Sequence, residues 1–219
     1  MDETEVRQVV LLGKGDLAIR VGQWLYDAPD YELVWVVPVL PEPAWSGSLL
    51  DWAHGLGVGV VESGRWQGLP EDFRPDLALS VFCHQIFPQP FIDRCGRILN
   101  LHNSPLPRYR GMTPINWALK NGETEHGVTL HEVTCEVDAG PIVSQLRYPI
   151  DPESDEVIDV YRRALERGWE LMEDALPRLD ALAGCAQDES VASHYTSRDL
   201  GDLGERRWFT REELGPRGD

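Results

Sequence analysis

Basic residues are scarce in this chain. Only 20 lysines and arginines stand against 37 aspartates and glutamates, which leaves a formal net charge of -17 at pH 7. A field of that sign repels phosphate backbones and anionic membranes, so neither nucleic acid nor membrane is expected as a partner. A small anion held in a local basic pocket is compatible with it. Cysteine is sparse too. Cys83, Cys95, Cys135 and Cys185 lie far apart without a CxxC pair, which argues against a disulfide framework or a structural zinc site. The six histidines show no HExxH or similar spacing, and no metal is expected. No apolar run approaches the roughly 20 residues of a membrane span. The acidic start MDETEVRQ lacks a basic secretory leader, so the expected location is cytoplasmic.

Hydrophobic residues fill 42% of the 219 positions, enough for a sizeable core. Apolar, β-rich runs at 9–13, 33–40, 58–61, 76–81 and 97–101 read as strands, with helical patterns at 17–27, 48–57 and 90–95 between them. Asp16 is a plausible N-cap of the first helix. Such alternation predicts an α/β fold: a mainly parallel twisted sheet with helices on both faces, ligands gathering beyond the carboxyl ends of its strands. Thr113 and Pro114 suit the cap and first position of a further helix. Strands are expected at 126–134 and 142–150. A long amphipathic helix follows from 154 to about 183, which Pro177 should break or bend. The remainder is polar and glycine-punctuated, with Tyr195, Trp208 and Phe209 as isolated anchors. The division expected is a catalytic domain over 1–185 and a short C-terminal extension over 186–219, serving as an interface or touching substrate.

GKGDLA, residues 13–18, sits between a strand and a helix, where glycines and a helix N-terminus can hold a phosphate. The dinucleotide fingerprint also needs an acidic residue about 20 positions on, and VWVVPVL offers none. Lys14 either contacts an anion or stands in solvent on a tight turn.

The segment NLHNSPLPRYRG places Asn100, His102 and Ser104 on alternate positions, hence on one side of an extended strand, and then stops it with Pro105 and Pro107. Asp138 waits in the glycine-flanked loop CEVDAGP. An imidazole can donate or accept a proton, and an asparagine amide is a fixed donor to a developing oxyanion. A carboxylate beside the imidazole favours its charged form. The three together suit transfer of an acyl group to an amine. Ser104 lacks the GxSxG setting of a nucleophile and better suits orienting the turn.

These residues carry a family likeness. NLHNSPLPRYRGMTPINWALKNGE, GVTLHEV and VDAGPIVSQ, in that order, resemble the core signature of the folate-dependent formyltransferases. That group includes glycinamide ribonucleotide, methionyl-tRNA and amino-sugar N-formyltransferases. The likeness is strongest over about 75–150. It implies a Rossmann-like sheet, a catalytic triad of Asn100, His102 and Asp138, and 10-formyltetrahydrofolate as formyl donor. It further implies a folate pocket walled by Val81, Phe82, His84 and Ile86 and by the loop Val137, Asp138, Ala139 and Gly140. Lys14, Ser104, Arg108, Tyr109, Arg110 and Met112 are the expected substrate contacts.

The chain leaves no room for the extra barrel of the methionyl-tRNA branch, and GKGD departs from the first loop of the glycinamide ribonucleotide branch. A nucleotide-linked amino sugar is therefore the expected acceptor, and SHYTSRDLGDLGERRWFTREEL suits a tail that makes a homodimer. The alternatives are a glycinamide ribonucleotide-type enzyme, a formyltetrahydrofolate hydrolase, and a non-catalytic folate- or nucleotide-binding protein.

Overall fold

The run RQVVLLG forms β1 (Arg7–Gly13), followed by α1 (Gly15–Asp27) and β2 (Tyr31–Pro38). Next come α2 (Leu49–Leu56), the short β3 (Gly59–Val60), β4 (Leu77–Val81), α3 (Gln89–Ile92) and β5 (Arg97–His102). This computed structural model describes residues 6–203. Its contacts divide the chain into two units, Met1–Asn100 and Leu101–Asp219, and the division falls inside β5.

In the first unit β1 pairs in parallel with β2 on one side and β4 on the other, and β2 pairs in parallel with β3. The strand order is β3-β2-β1-β4-β5. Val9, Val10, Leu11 and Leu12 are all fully buried. Successive strand residues point to opposite faces, so both faces of β1 are covered, as expected for a parallel sheet. This is the Rossmann-like α/β arrangement that the alternating pattern predicts. Strand order reverses at β1, where Gly13 is in register with both Pro38 and Val81. Ligand crevices open at such a switch point, beyond the strand ends that lead into Lys14 and Phe82.

One cap differs from expectation. Lys14, not Asp16, occupies the N-cap of α1, and Asp16 instead accepts from Gly47 N at 2.8 Å, tying α1 to the loop before α2.

The second unit holds β6 (Arg110–Gly111), α4 (Pro114–Lys120), β7 (Glu125–Glu132), β8 (Ile142–Pro149), α5 (Val157–Ala175) and β9 (His194–Tyr195). Antiparallel β7 and β8 shift register between Leu130 and His131, a bulge of the kind that re-aims a side chain. The apolar face of α5 packs on these two strands. The helix stops at Ala175 and yields to a 3-10 turn at Leu176–Ala181, because Pro177 lacks the N–H that another turn needs. Thr113 does stand at the N-cap of α4, but at φ +51, and its buried hydroxyl has no partner among the described residues, so it makes no capping bond there.

Beyond α5 the chain returns along this unit. Cys185 bridges to Ile142, and β9 pairs in parallel with β6. Tyr195 stacks on Trp117 with ring centroids 4.1 Å apart, and Asn121 donates to its hydroxyl at 3.2 Å. Tyr195 is thus an anchor, and Trp117 is core. Trp208 and Phe209 lie outside the described residues.

Candidate active site

Strand β5 ends in Asn100 and His102, both buried and, being two residues apart, on one face of the strand. In the first unit the Ser80 hydroxyl donates to Oδ1 of Asn100 at 2.6 Å. That bond assigns the amide: its oxygen faces Ser80 and its NH2 is the donor end.

In the second unit His102 Nε2 lies 3.0 Å from the carbonyl oxygen of Tyr109. A carbonyl only accepts, so the proton is on Nε2 and the working nitrogen is Nδ1. His102 Nδ1 is 3.5 Å from Oδ2 of Asp138. His131 Nε2 approaches the other oxygen, Oδ1, also at 3.5 Å, while its Nδ1 donates to its neighbour Glu132 O at 2.8 Å. Gly111 N donates to Asp138 Oδ2 at 2.8 Å. Burial works against ionising this carboxyl, but the two imidazoles and the Gly111 N–H outweigh it and hold the pKa well below the usual carboxylate range. Asp138 is therefore a carboxylate between two imidazoles. Its φ of +52 is a left-handed conformation that side chains rarely adopt, so surrounding contacts must hold it.

Glycine is required twice around it. A Cβ on Gly140 would stand 1.9 Å from Glu132 O, and one on Gly111, at φ +86, would stand 2.1 Å from Tyr195 O.

The expected folate-pocket residues are differently placed. Val81 is a fully buried partner of Gly13, hence core and no pocket wall. Phe82 stands at φ +49. His84 and Ile86 line a cleft of about 430 Å³ with Arg65, Trp66 and Gln85, and Ile86 is 71% exposed. Gln85 donates to Gly64 O and accepts from Trp66 N, and the Trp66 indole donates to Ile86 O, which fixes the shape of this cleft. Val137 is exposed and Ala139 half-buried beside Asp138. Lys14 is half-buried, and desolvation lowers its pKa from the ordinary lysine value.

The expected substrate contacts of the second unit are largely engaged with protein. Ser104 is buried and donates to Arg108 O at 2.9 Å, so it holds the proline turn. Thr129 donates to Ser104 O and Gln145 to Leu106 O, pinning the same turn. Tyr109 is buried, donates to Glu123 at 2.6 Å and has its pKa raised to about 12, chiefly by burial. The Arg110 guanidinium turns to Gln187 and Glu189. Arg108 pairs with Glu123 yet keeps a partly exposed side chain, and Met112 is exposed.

Sequence reasoning placed Ser80 only at the start of the pocket segment 80–87, without its bond to Asn100, and missed His131 and Gln187. Ser80 had a signal, as the lone hydroxyl in the apolar strand LALSV. His131 had one too, sitting on an alternating strand seven residues before Asp138. Gln187 had none.

Residues 65–176 match the model of the formyl transferase family. Among solved structures of similar fold is the N-formyltransferase from Helicobacter canadensis, in complex with folinic acid and dTDP-3-aminofucose. It aligns with a TM-score of 0.76 and 22% identity over 89% of this chain and 72% of that one. A sugar N-formyltransferase from Shewanella sp. aligns with a TM-score of 0.72 and 20% identity over 90% and 80% of the two chains. Glycinamide ribonucleotide transformylase 1 from Symbiobacterium toebii aligns with a TM-score of 0.65 and 24% identity over 80% and 87%. At these identities the likeness is one of fold.

Proposed function

We propose that this chain, which belongs to the formyl transferase family, moves a formyl group from 10-formyltetrahydrofolate to the primary amine of a nucleotide-linked amino sugar. The observation that carries the reading is the pair His102 Nδ1 and Asp138 Oδ2, 3.5 Å apart, with Nε2 already committed to Tyr109 O. The folate donor, when bound, supplies an activated formyl carbon. The cleft with Trp66, Arg65, His84 and Ile86 suits part of a flat heterocycle, since it offers aromatic and aliphatic walls with polar groups between them.

The chain's residues then divide the work. Asn100 Nδ2, aimed by Ser80, donates to the formyl oxygen as negative charge develops there while the amine nitrogen bonds to carbon. The carboxylate of Asp138, directly or through a water, takes the proton that the amine must lose. Asp138 passes that proton to His102 Nδ1, 3.5 Å away, and His102 hands it on to the folate nitrogen as its bond to the formyl carbon breaks. One proton leaves the amine and one reaches the leaving nitrogen, so the balance closes. Arg108 and Met112, the accessible members of the 108–112 segment, are the proposed acceptor contacts, with Lys14 for an anionic group.

A nucleotide-linked amino sugar is favoured because the Helicobacter canadensis relative binds one and the Shewanella relative is a sugar enzyme. The proposal also takes the chain to be a cytoplasmic homodimer. No helix among the described residues is long and apolar enough to cross a membrane.

The test is turnover of 10-formyltetrahydrofolate, followed by folate absorbance, with a panel of dTDP-linked amino sugars and glycinamide ribonucleotide. Amine-dependent turnover greatest with a dTDP-amino sugar is expected. Preference for glycinamide ribonucleotide overturns the acceptor, amine-independent formate release points to a hydrolase, and folate binding without turnover to a binding protein.

A further inference from the structure

Arg110 looks from sequence like an anion ligand, yet its guanidinium is buried and faces the segment after α5. We propose that Gln187, in that segment, is a positioning residue for Asp138: its amide bridges the guanidinium of Arg110 to the backbone of the loop that carries the carboxylate. This inference rests on the role proposed above for Asp138.

The orientation of the amide is dictated by its neighbours. Gln187 Oε1 accepts from Arg110 Nε at 3.1 Å and Nη2 at 2.7 Å. A guanidinium has only donors, so the amide oxygen must face it and the NH2 must face away. There Nε2 donates to Asp138 O at 2.8 Å and to Gly140 O at 2.7 Å. The reversed amide would set donor against donor and oxygen against two carbonyls. Arg110 is itself held by Glu189, with Nη1 and Nη2 at 3.0 and 2.6 Å from its two carboxylate oxygens, the fork geometry that fixes a guanidinium in direction as well as place.

The loop needs such a hold. Asp138 at φ +52 pays a backbone penalty that persists only where contacts over-determine it. Two adjacent residues of β6 supply those contacts: Gly111 N reaches Asp138 Oδ2 directly, and Arg110 reaches Asp138 O through Gln187. Backbone and carboxylate are thereby referred to one short strand, and the direction of the carboxylate toward His102 follows.

The full-length chain carrying Gln187→Leu or Gln187→Glu tests this. Leucine removes both halves of the bridge. Glutamate keeps an acceptor for Arg110, so the tail stays docked, but sets an oxygen against Asp138 O and Gly140 O. In both variants the midpoint of the Asp138 carboxyl, read by its 13C resonance, should rise toward the ordinary carboxylate range. With the best acceptor from the panel above, kcat should fall at least about tenfold while KM for either substrate stays within about twofold. A residue that merely fastened the tail would lower melting temperature and move neither quantity. An unchanged carboxyl midpoint, or a kcat equal to that of the parent, overturns the inference. Asp138→Asn serves as the control: full turnover there overturns the role of Asp138, while the carboxyl titration still reports separately whether Gln187 positions it.

Discussion

The Ser80 hydroxyl donates a hydrogen bond to Oδ1 of Asn100 at 2.6 Å, and both side chains are buried. An amide has one donor end and one acceptor end of nearly equal size, so burial alone does not choose between two orientations. The hydroxyl does choose: the oxygen faces Ser80, and the NH2 is the donor end.

Ser80→Ala should therefore act on turnover more than on folding. Loss of one buried hydrogen bond costs about 1 kcal/mol of stability. Partial reversal of the Asn100 amide should lower kcat by about tenfold, short of the roughly 10²–10³ expected for removing an oxyanion donor outright. Steady-state kinetics beside a urea melt separate the two effects, and an unchanged kcat would sink the assignment.

His131 is nearly fully buried and faces Asp138 Oδ1 at 3.5 Å. His131→Phe keeps ring bulk and removes that partner. The Asp138 carboxyl, which contacts with His102, His131 and Gly111 hold low, should then protonate at a higher pH than in the parent. The parent carboxylate should stay ionised down to pH values below the usual carboxylate range. Carbon-13 titration of the aspartates reads the direction, and a downward move would contradict the geometry.

His126 shows what a histidine without chemistry looks like. It is fully buried, donates from Nε2 to Asn103 O at 3.1 Å, and its Nδ1 has no partner among the described residues. Burial pushes its pKa down to about 3. It is neutral in the folded chain, whereas the unfolded imidazole takes a proton near pH 6.5. Its contribution to stability is complete above pH 6.5 and is lost as pH falls from there toward 3, with a slope of at most about 1.4 kcal/mol per pH unit. Between pH 6.5 and 4.5, above the window in which Asp138 acts, His126→Phe should show a shallower fall in melting temperature than the parent. Equal slopes would show that His126 titrates normally.

Gly140→Ala and Gly55→Ala form a contrasting pair. At Gly140 a methyl group meets backbone, 1.9 Å from Glu132 O, beside the hydrogen bond from Glu132 N to Pro141 O. Strain of about 1–3 kcal/mol should appear in thermal melts, together with lost turnover, because the Asp138 loop must shift. At Gly55 in α2 the same methyl meets nothing within 4 Å, so helix propensity should raise stability by about 0.5–1 kcal/mol. Destabilisation by both would mean that the loop is not specially constrained.

Periodicity and punctuation in the chain determined most of the local structure and the chemistry available. Apolar runs closed by glycine became buried parallel strands, Pro177 ended α5, and Asn100 and His102 were bound to share a face once β5 formed. Left to the tertiary structure were the partners that aim these groups. Whether Arg110 meets a ligand or a protein carboxylate, which nitrogen of His102 is free, and that Gln187 reaches the Asp138 loop 49 residues earlier all depend on non-local approach. Sequence spacing encodes short-range geometry because backbone dihedrals are local. A hydrogen bond between distant segments is set by packing of the intervening core, which no single stretch of residues carries.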